Sequence, residues 1–294
     1  MSQARSRGVG GSDAAAILGL SPWKTAFEVW QEKLGLSKGK PDNPAMAYGR
    51  LIEPVIRQWY SDETGRVVTV PNAPIFHPKY PYILGSLDGI ADGERVLEIK
   101  TSRSSDGWGE PGTDQIPVYY QTQVQQYMMV TGFDVADVAV SVMGSIPVLY
   151  EVGSDMELQE MMIEAISEFW DLVQKQIPPE LVTYNDMIAR FGKKAVTKPV
   201  TASSEAENAL LRIKEISGLV RELEEEEEAL KAILMGSMGD FDTLVGVDGK
   251  VLCTWKLAKP SVTFDSEAFK ESEPELYAQY LRTREPSRRF LLKG

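Results

Sequence analysis

A single cysteine, Cys253, and a single histidine, His77, stand in a chain of 294 residues. One cysteine excludes an intrachain disulfide and any cysteine-rich zinc site. One histidine excludes metal centres built on several imidazoles, and it leaves a Ser-His-Asp triad only if His77 itself serves it. Directly before Pro78, His77 reads as a strand-end or loop residue. Long apolar runs are also absent: nothing approaches the length that spans a bilayer, and the opening MSQARSRGVGG has basic residues without the apolar core of a signal peptide. The expectation is a folded cytoplasmic protein with no membrane partner. Basic charge is scarce overall, the net charge being −12, which argues against an unfocused nucleic-acid binder. The deficit is uneven. Residues 1–60 hold eight Lys or Arg against five acids, whereas residues 201–240 hold four against ten, and only local charge decides what a cleft binds.

What is present centres on Ile83 to Thr101, ILGSLDGIADGERVLEIKT. It reads as two strands joined by a turn at Asp92-Gly93. On the second strand Glu98 and Lys100 project to one face, and Leu97, Ile99 and Thr101 to the other. Closing the hairpin brings Asp88 near Glu98, so that two carboxylates and an ammonium share one place. Two readings stand at this point. One is a solvated face, since acid-x-Lys on a strand is common; the other is a magnesium site with a lysine beside it, because hard cations take carboxylate oxygens.

The flanking chain supplies further candidates. Ser12 reads as the N-cap of a short helix ending at Gly19, whose amides, with Arg5 and Arg7 upstream, either hold a phosphate or only cap a helix behind a flexible tail. Thr25 and Glu28 form a capping box, opening a helix with Phe27, Trp30 and Leu34 on one face. Asn43-Pro44 starts a long helix to Gly65, with Met46, Leu51, Val55 and Trp59 on its apolar side and Glu53 before Pro54 in its middle. Pro117 opens a helix closed by Gly132, in which Gln123 and Tyr127 lie one turn apart. Strands are expected at 135–142 and 147–152, and an amphipathic helix at 155–176 with Met161, Ile166, Phe169 and Val173. A proline-containing stretch separates these from an acidic helix at 204–238, a hairpin at Asp248-Gly249, a helix near 266–282 and a last strand, RRFLLK.

Five pieces in order, GGSDAAAILGLSPWKT, YGRLIEPVIRQWY, SLDG, LEIKT and YYQTQVQQYM, resemble the lambda exonuclease or YqaJ-type viral recombinase family, a branch of the PD-(D/E)xK nuclease superfamily. The resemblance spans residues 5–175. It implies an α/β (α+β) fold, with a restriction-endonuclease-like core of central mixed β-sheet flanked by helices, and a C-terminal helical α+β extension. The expected organisation is a core at 1–178, a linker at 179–204, and an extension of unknown role at 205–294. By the resemblance, Asp88 and Glu98 are metal ligands for Mg2+, with Mn2+ as a substitute and the Ile99 carbonyl as a third ligand. Lys100 is the catalytic lysine, Glu53 is the helix acid that completes the site, and Gln123 and Tyr127 form a Gln-xxx-Tyr element with Gln123 facing the active centre. Arg5, Ser12 and Ser86 fall where the family places its pocket for the terminal 5′-phosphate, the Arg5 to Ser12 spacing selecting Arg5 over Arg7. Leu87 departs from the superfamily signature, which has proline before the first acid. The implied activity is 5′ to 3′ degradation of one strand of linear double-stranded DNA, as in phage recombination. A trimeric ring, a single-strand annealing partner and a host-cell cytoplasmic location for a phage-encoded chain come with it. Endonuclease chemistry on the same site, or a non-catalytic DNA-end or partner-binding module using the acidic helix, are the alternatives.

Overall fold

The computed structural model describes residues 7–37, 42–193, 196–283 and 288–292. These divide into two units, Met1–Lys193 with Arg288–Gly294, and Lys194–Ser287. In chain order the first unit contains β1 (Val9–Gly10), α1 (Gly11–Ile17), α2 (Ala26–Lys33), α3 (Pro44–Thr64), β2 (Val68–Thr69), β3 (Ile75–Phe76), β4 (Ile83–Gly85), β5 (Gly89–Ala91), β6 (Arg95–Ser102), α4 (Val118–Thr131), β7 (Val135–Val142), β8 (Val148–Gly153), α5 (Met156–Lys175) and α6 (Tyr184–Phe191).

Local chemistry sets the helix ends. Thr25 and Glu28 close a reciprocal capping box on α2. Asn43 accepts from the Met46 amide and Pro44 takes the first position of α3, which Gly65 ends at φ 71°. The helix runs unbroken through Pro54. At α1 the N-cap is Gly10, not Ser12, and no side chain caps it; the chain passes directly from strand to helix, so Ser12 lies in the first turn and is exposed.

A five-stranded sheet runs β2-β5-β6-β7-β8, antiparallel except for the parallel pair β6–β7. Parallel neighbours need a crossover, and α4 is that crossover. The sheet is therefore mixed, with helices on both faces. On one face α3 lays Ile56 and Tyr60 over Leu97, Ile99 and Ala139. Its buried stripe is 52, 56, 59 and 60, so the expected stripe of Met46, Leu51 and Val55 is turned outward, those three being 48%, 76% and 59% exposed. On the other face α4 packs Val124, Tyr127 and Met128 against Val96, Val138 and Tyr150. A small sheet, β1-β4-β3, carries α1, α2 and α5 over a third cluster around Phe27, Ile83, Met162, Ile166 and Phe169. In α5 the buried methionine is Met162, and Met161 faces solvent.

The expected first strand of the central hairpin is thus two strands in two sheets. Residues Ser86, Leu87 and Asp88 carry the chain from β4 to β5, burying Leu87 beneath α4 on the way. Residues 184–191, inside the expected linker, form a helix with a Thr183 capping box, and Asp186 of that helix accepts a hydrogen bond from Thr25 at 2.8 Å.

The second unit consists of α7 (Ser204–Met238), the hairpin β9 (Thr243–Val245) and β10 (Val251–Thr254), and two short helices, α8 (Ser266–Ser272) and α9 (Pro274–Gln279), where one was expected. Among its described residues only Met238 is buried. Residues 288–292 form no strand, in contrast to the expectation for RRFLLK. No helix among the described residues is long and apolar enough to cross a membrane.

Candidate active site

The site grows out of the β5–β6 turn. Asp92 and Gly93 adopt φ 51° and 79°, a left-handed pair that Asp and Gly tolerate, and with Glu94 they make a three-residue connection. That turn pairs Ala91 with Arg95, Ile90 with Val96 and Gly89 with Leu97; one further step opposes Asp88 and Glu98. Side-chain alternation then does the rest. Leu97 and Ile99 are buried under α3, while Glu98 and Lys100 face α4.

Asp88 Oδ2 accepts from the Ile99 amide at 2.8 Å, which fixes this carboxylate beside the Ile99 peptide. Glu98 is 1% exposed, and its Oε1 is shared by the Lys100 ammonium and by Gln123 Nε2 at 2.7 Å. Gln123 Oε1 in turn accepts from Lys100 at 3.1 Å, and Gln123 Nε2 also donates to the Tyr127 hydroxyl at 2.9 Å. One amide from α4 thus holds both charged groups of the strand. Burial, and then the charge of Asp88, push the Glu98 carboxyl up to about 8 against the pull of Lys100. Burial lowers the Lys100 ammonium's affinity for its proton, but Glu98 and Asp88 outweigh it and the net shift is upward.

Glu98 Oε2 is buried and has no hydrogen-bond partner. A carboxylate oxygen with that lack, next to a second carboxylate, is the donor set a hard divalent cation takes, because the cation offsets both the desolvation and the repulsion. The residues therefore fit such a metal. Glu53 stands apart from the pair: its carboxylate binds Arg57, whose Nε donates to the Asp88 carbonyl at 2.9 Å. Among the described residues no three His, Cys, Asp or Glu side chains group as a metal centre.

Arg5 lies outside the described residues. Ser12 and Ser86 are both exposed and both follow, by two positions, the paired residues Gly10 and Leu84 of parallel strands β1 and β4, so they leave the small sheet from the same end. Gln126, one turn on from Gln123 and fully buried, donates to the carbonyls of Val9 and Leu84 at 2.8 Å each, tying those strands to the helix that carries Gln123.

Three residues escaped the sequence reading. Arg57 lacked a signal, being one more basic residue on a helix. Tyr120 sits with Lys100 over its ring at 4.8 Å from the centroid; the adjacent tyrosines of VYYQ were visible but not what they would face. The third is Gly11. A Cβ there would meet Tyr127 Cε1 at 2.6 Å and Gln123 Cγ at 3.1 Å, whereas one on Gly10 would find only Leu84 Cδ1 at 3.9 Å. Gly11→Ala is therefore expected to lower stability by about 1–3 kcal/mol. Gly10→Ala should stay within about 0.5 kcal/mol of the parent in the same denaturant titration, and equal midpoints for the two variants would remove the close α1–α4 contact.

A family model for the YqaJ-like viral recombinase domain matches residues 2–134. The uncharacterized protein YqaJ of Bacillus subtilis (strain 168) is 30% identical over 300 residues, covering 98% of this chain and 92% of the relative. Among solved structures, an alkaline exonuclease from Laribacter hongkongensis superposes with a TM-score of 0.51 at 23% identity, over 59% of this chain and 91% of that one. A phage-related exonuclease from Haemophilus somnus 129PT gives 0.44 at 14% identity, over 58% and 95%. The first of these likenesses shows that the core, a mixed sheet with helices on both faces, shares the fold of that alkaline exonuclease.

Proposed function

This chain belongs to the YqaJ-like viral recombinase family, and from that membership and the site's geometry we propose that it is a metal-dependent exonuclease. Its substrate would be linear double-stranded DNA, one strand of which it hydrolyses from the 5′ end. The observation that carries the reading is the buried, half-unpartnered Glu98 carboxylate set beside Asp88 and joined to the Lys100 ammonium.

Asp88, Glu98 and the Ile99 carbonyl would hold the cation, Mg2+ with Mn2+ as a substitute. When bound, such a cation polarises the phosphoryl group and acidifies water. Lys100 supplies N–H donors and positive charge where the phosphoryl oxygens gain charge; with its proton held by two carboxylates it serves as a donor and not as a base. Gln123 keeps the Lys100 ammonium and the Glu98 carboxylate in register, and Tyr127 keeps Gln123 in its rotamer. Arg57 fixes the Asp88 backbone and occupies Glu53, which gives Glu53 a positioning role. Ser12 and Ser86, with Arg5, form the pocket for a terminal phosphate in this reading. A trimeric ring and a single-strand annealing protein as partner complete the proposal; light scattering tests the ring.

The direct test uses linear and covalently closed duplexes of one sequence, each strand labelled in turn at its 5′ or 3′ end, with Mg2+ or with EDTA. Release of mononucleotides from the 5′-labelled end of linear DNA only, and only with metal, is the expected result. Equal cleavage of the closed circle would remove the exonuclease claim, and release from the 3′ end would reverse the polarity.

A further inference from the structure

Lys100 faces more than carboxylates. Beyond the Tyr120 ring on which its ammonium rests, a run of aromatic side chains leads away from the site. Tyr120 meets Tyr119 edge-on at 4.6 Å between centroids, and Tyr119 meets Trp23 edge-on at 4.6 Å, with Trp23 and Tyr120 tilted at 6.1 Å. Trp108 also packs on Tyr120, tilted, at 5.6 Å. The two tyrosines are half-buried, while Trp23, on the loop between α1 and α2, is 54% exposed. Trp is usually well covered because of the apolar area it carries. Here it is left half in water, at the outer end of a line of rings that starts on the lysine.

The floor of the site explains what such a line would meet. Glu98 and Gln123 are 1% and 7% exposed and the Lys100 side chain 18%, so a phosphodiester at Lys100 sits in a recess of the protein surface. A nucleotide taken out of the duplex stack to reach that recess loses its neighbour's ring. An aromatic face beside the floor restores that contact, and does so for every base, since each has a π-face. On the nuclease reading above, we propose that Trp23, supported by Tyr119 and Tyr120, is the stacking platform for the unpaired base of the nucleotide whose phosphodiester lies at Lys100. Trp23 is then a positioning residue for a frayed DNA end, tolerant of sequence and blind to base identity.

The experiment pairs protein and DNA changes. Single-turnover cleavage is measured for the full chain, Trp23→Phe and Trp23→Ala, on linear duplexes whose terminal nucleotides are intact or abasic. On intact ends Trp23→Ala is expected to lose about tenfold in kcat/KM and Trp23→Phe to regain most of it. Removing the base should lower the parent by a similar factor and leave Trp23→Ala with little further loss. In EDTA, a terminal 2-aminopurine should be quenched by the parent and not by Trp23→Ala, a readout that needs no cleavage. A parent that cleaves intact and abasic ends at one rate overturns the platform, as do additive losses from the two changes. A parent that quenches 2-aminopurine yet cleaves no DNA overturns the nuclease reading and spares the platform. If Trp23→Ala melts early, the parent's response to the abasic end decides alone.

Discussion

Lys100→Met is expected to slow cleavage of linear duplex DNA by about 10²–10³-fold while leaving DNA affinity close to that of the parent. The expectation follows from where the ammonium is. It donates to Glu98 Oε1 and to Gln123 Oε1, the latter at 3.1 Å, and rests on Tyr120, so it is held in place before any substrate arrives. A fixed charge in a buried site acts on the transition state at little reorganisation cost, which is why its loss falls on kcat and less on KM. Methionine keeps the stem's packing on Tyr120 and removes only the charge. Glu98→Gln is the companion: its remaining oxygen can still accept from Lys100 and Gln123, but the second carboxylate of the cation site is gone, so metal affinity by calorimetry and cleavage should fall together. Parental rates in both variants, with folding intact by circular dichroism, would falsify the site assignment.

Much of this site was readable in the residues because a strand alternates with period two. Once Asp92-Gly93 is recognised as the turn, Asp88 and Glu98 come close across the hairpin, but a two-residue loop would set Asp88 against Leu97, and it is the third turn residue, Glu94, that sets it against Glu98. The shared face of Glu98 and Lys100 is arithmetic, and Gln123 and Tyr127 follow from a helical spacing of four. Other features needed tertiary information. That Ile83–Gly85 and Gly89–Ala91 serve different sheets depends on Leu87 finding a place under α4, which no local pattern states. The apolar side expected of α3 ran through Leu51 and Val55, and the burial of Ile56 and Tyr60 in their place was settled by Leu97 and Ile99 on the sheet below. Glu53 was a site acid only by resemblance, its residue context giving an exposed Glu; its ion-pair partner is Arg57, one turn along the same helix, a pair visible in the sequence but indistinguishable there from an ordinary surface pair.

Asp137→Ala should destabilise the chain by about 3–5 kcal/mol, the largest effect on folding expected of a single polar residue here. Asp137 lies on β7 at 4% exposure and accepts from four directions: Arg95 Nε at 2.9 Å and Nη2 at 2.5 Å, the Tyr60 hydroxyl at 2.5 Å, and Arg66 at 3.4 Å. It therefore joins α3, the approach to β2, and strands β6 and β7, beside Leu97 in the register and on the α3 side of the sheet, away from the face that carries Glu98 and Lys100. Removing it leaves a mostly buried guanidinium and a buried hydroxyl without their shared acceptor, and an orphaned buried group costs more than the bond was worth. Burial, followed by the bond to Asp137, pushes the Tyr60 hydroxyl up to about 12, so this phenol keeps its proton and remains a donor throughout the neutral range. Asp137→Asn keeps an acceptor for Tyr60 and should recover part of the loss. Glu151→Ala, which removes Arg95's exposed second partner, is expected to stay within about 0.5 kcal/mol. Urea titrations of the three variants give the order directly: Ala lowest, Asn between, Glu151→Ala near the parent. An Asp137→Ala midpoint equal to that of Glu151→Ala would mean that the cluster is a bystander and that the sheet is held by its apolar faces alone.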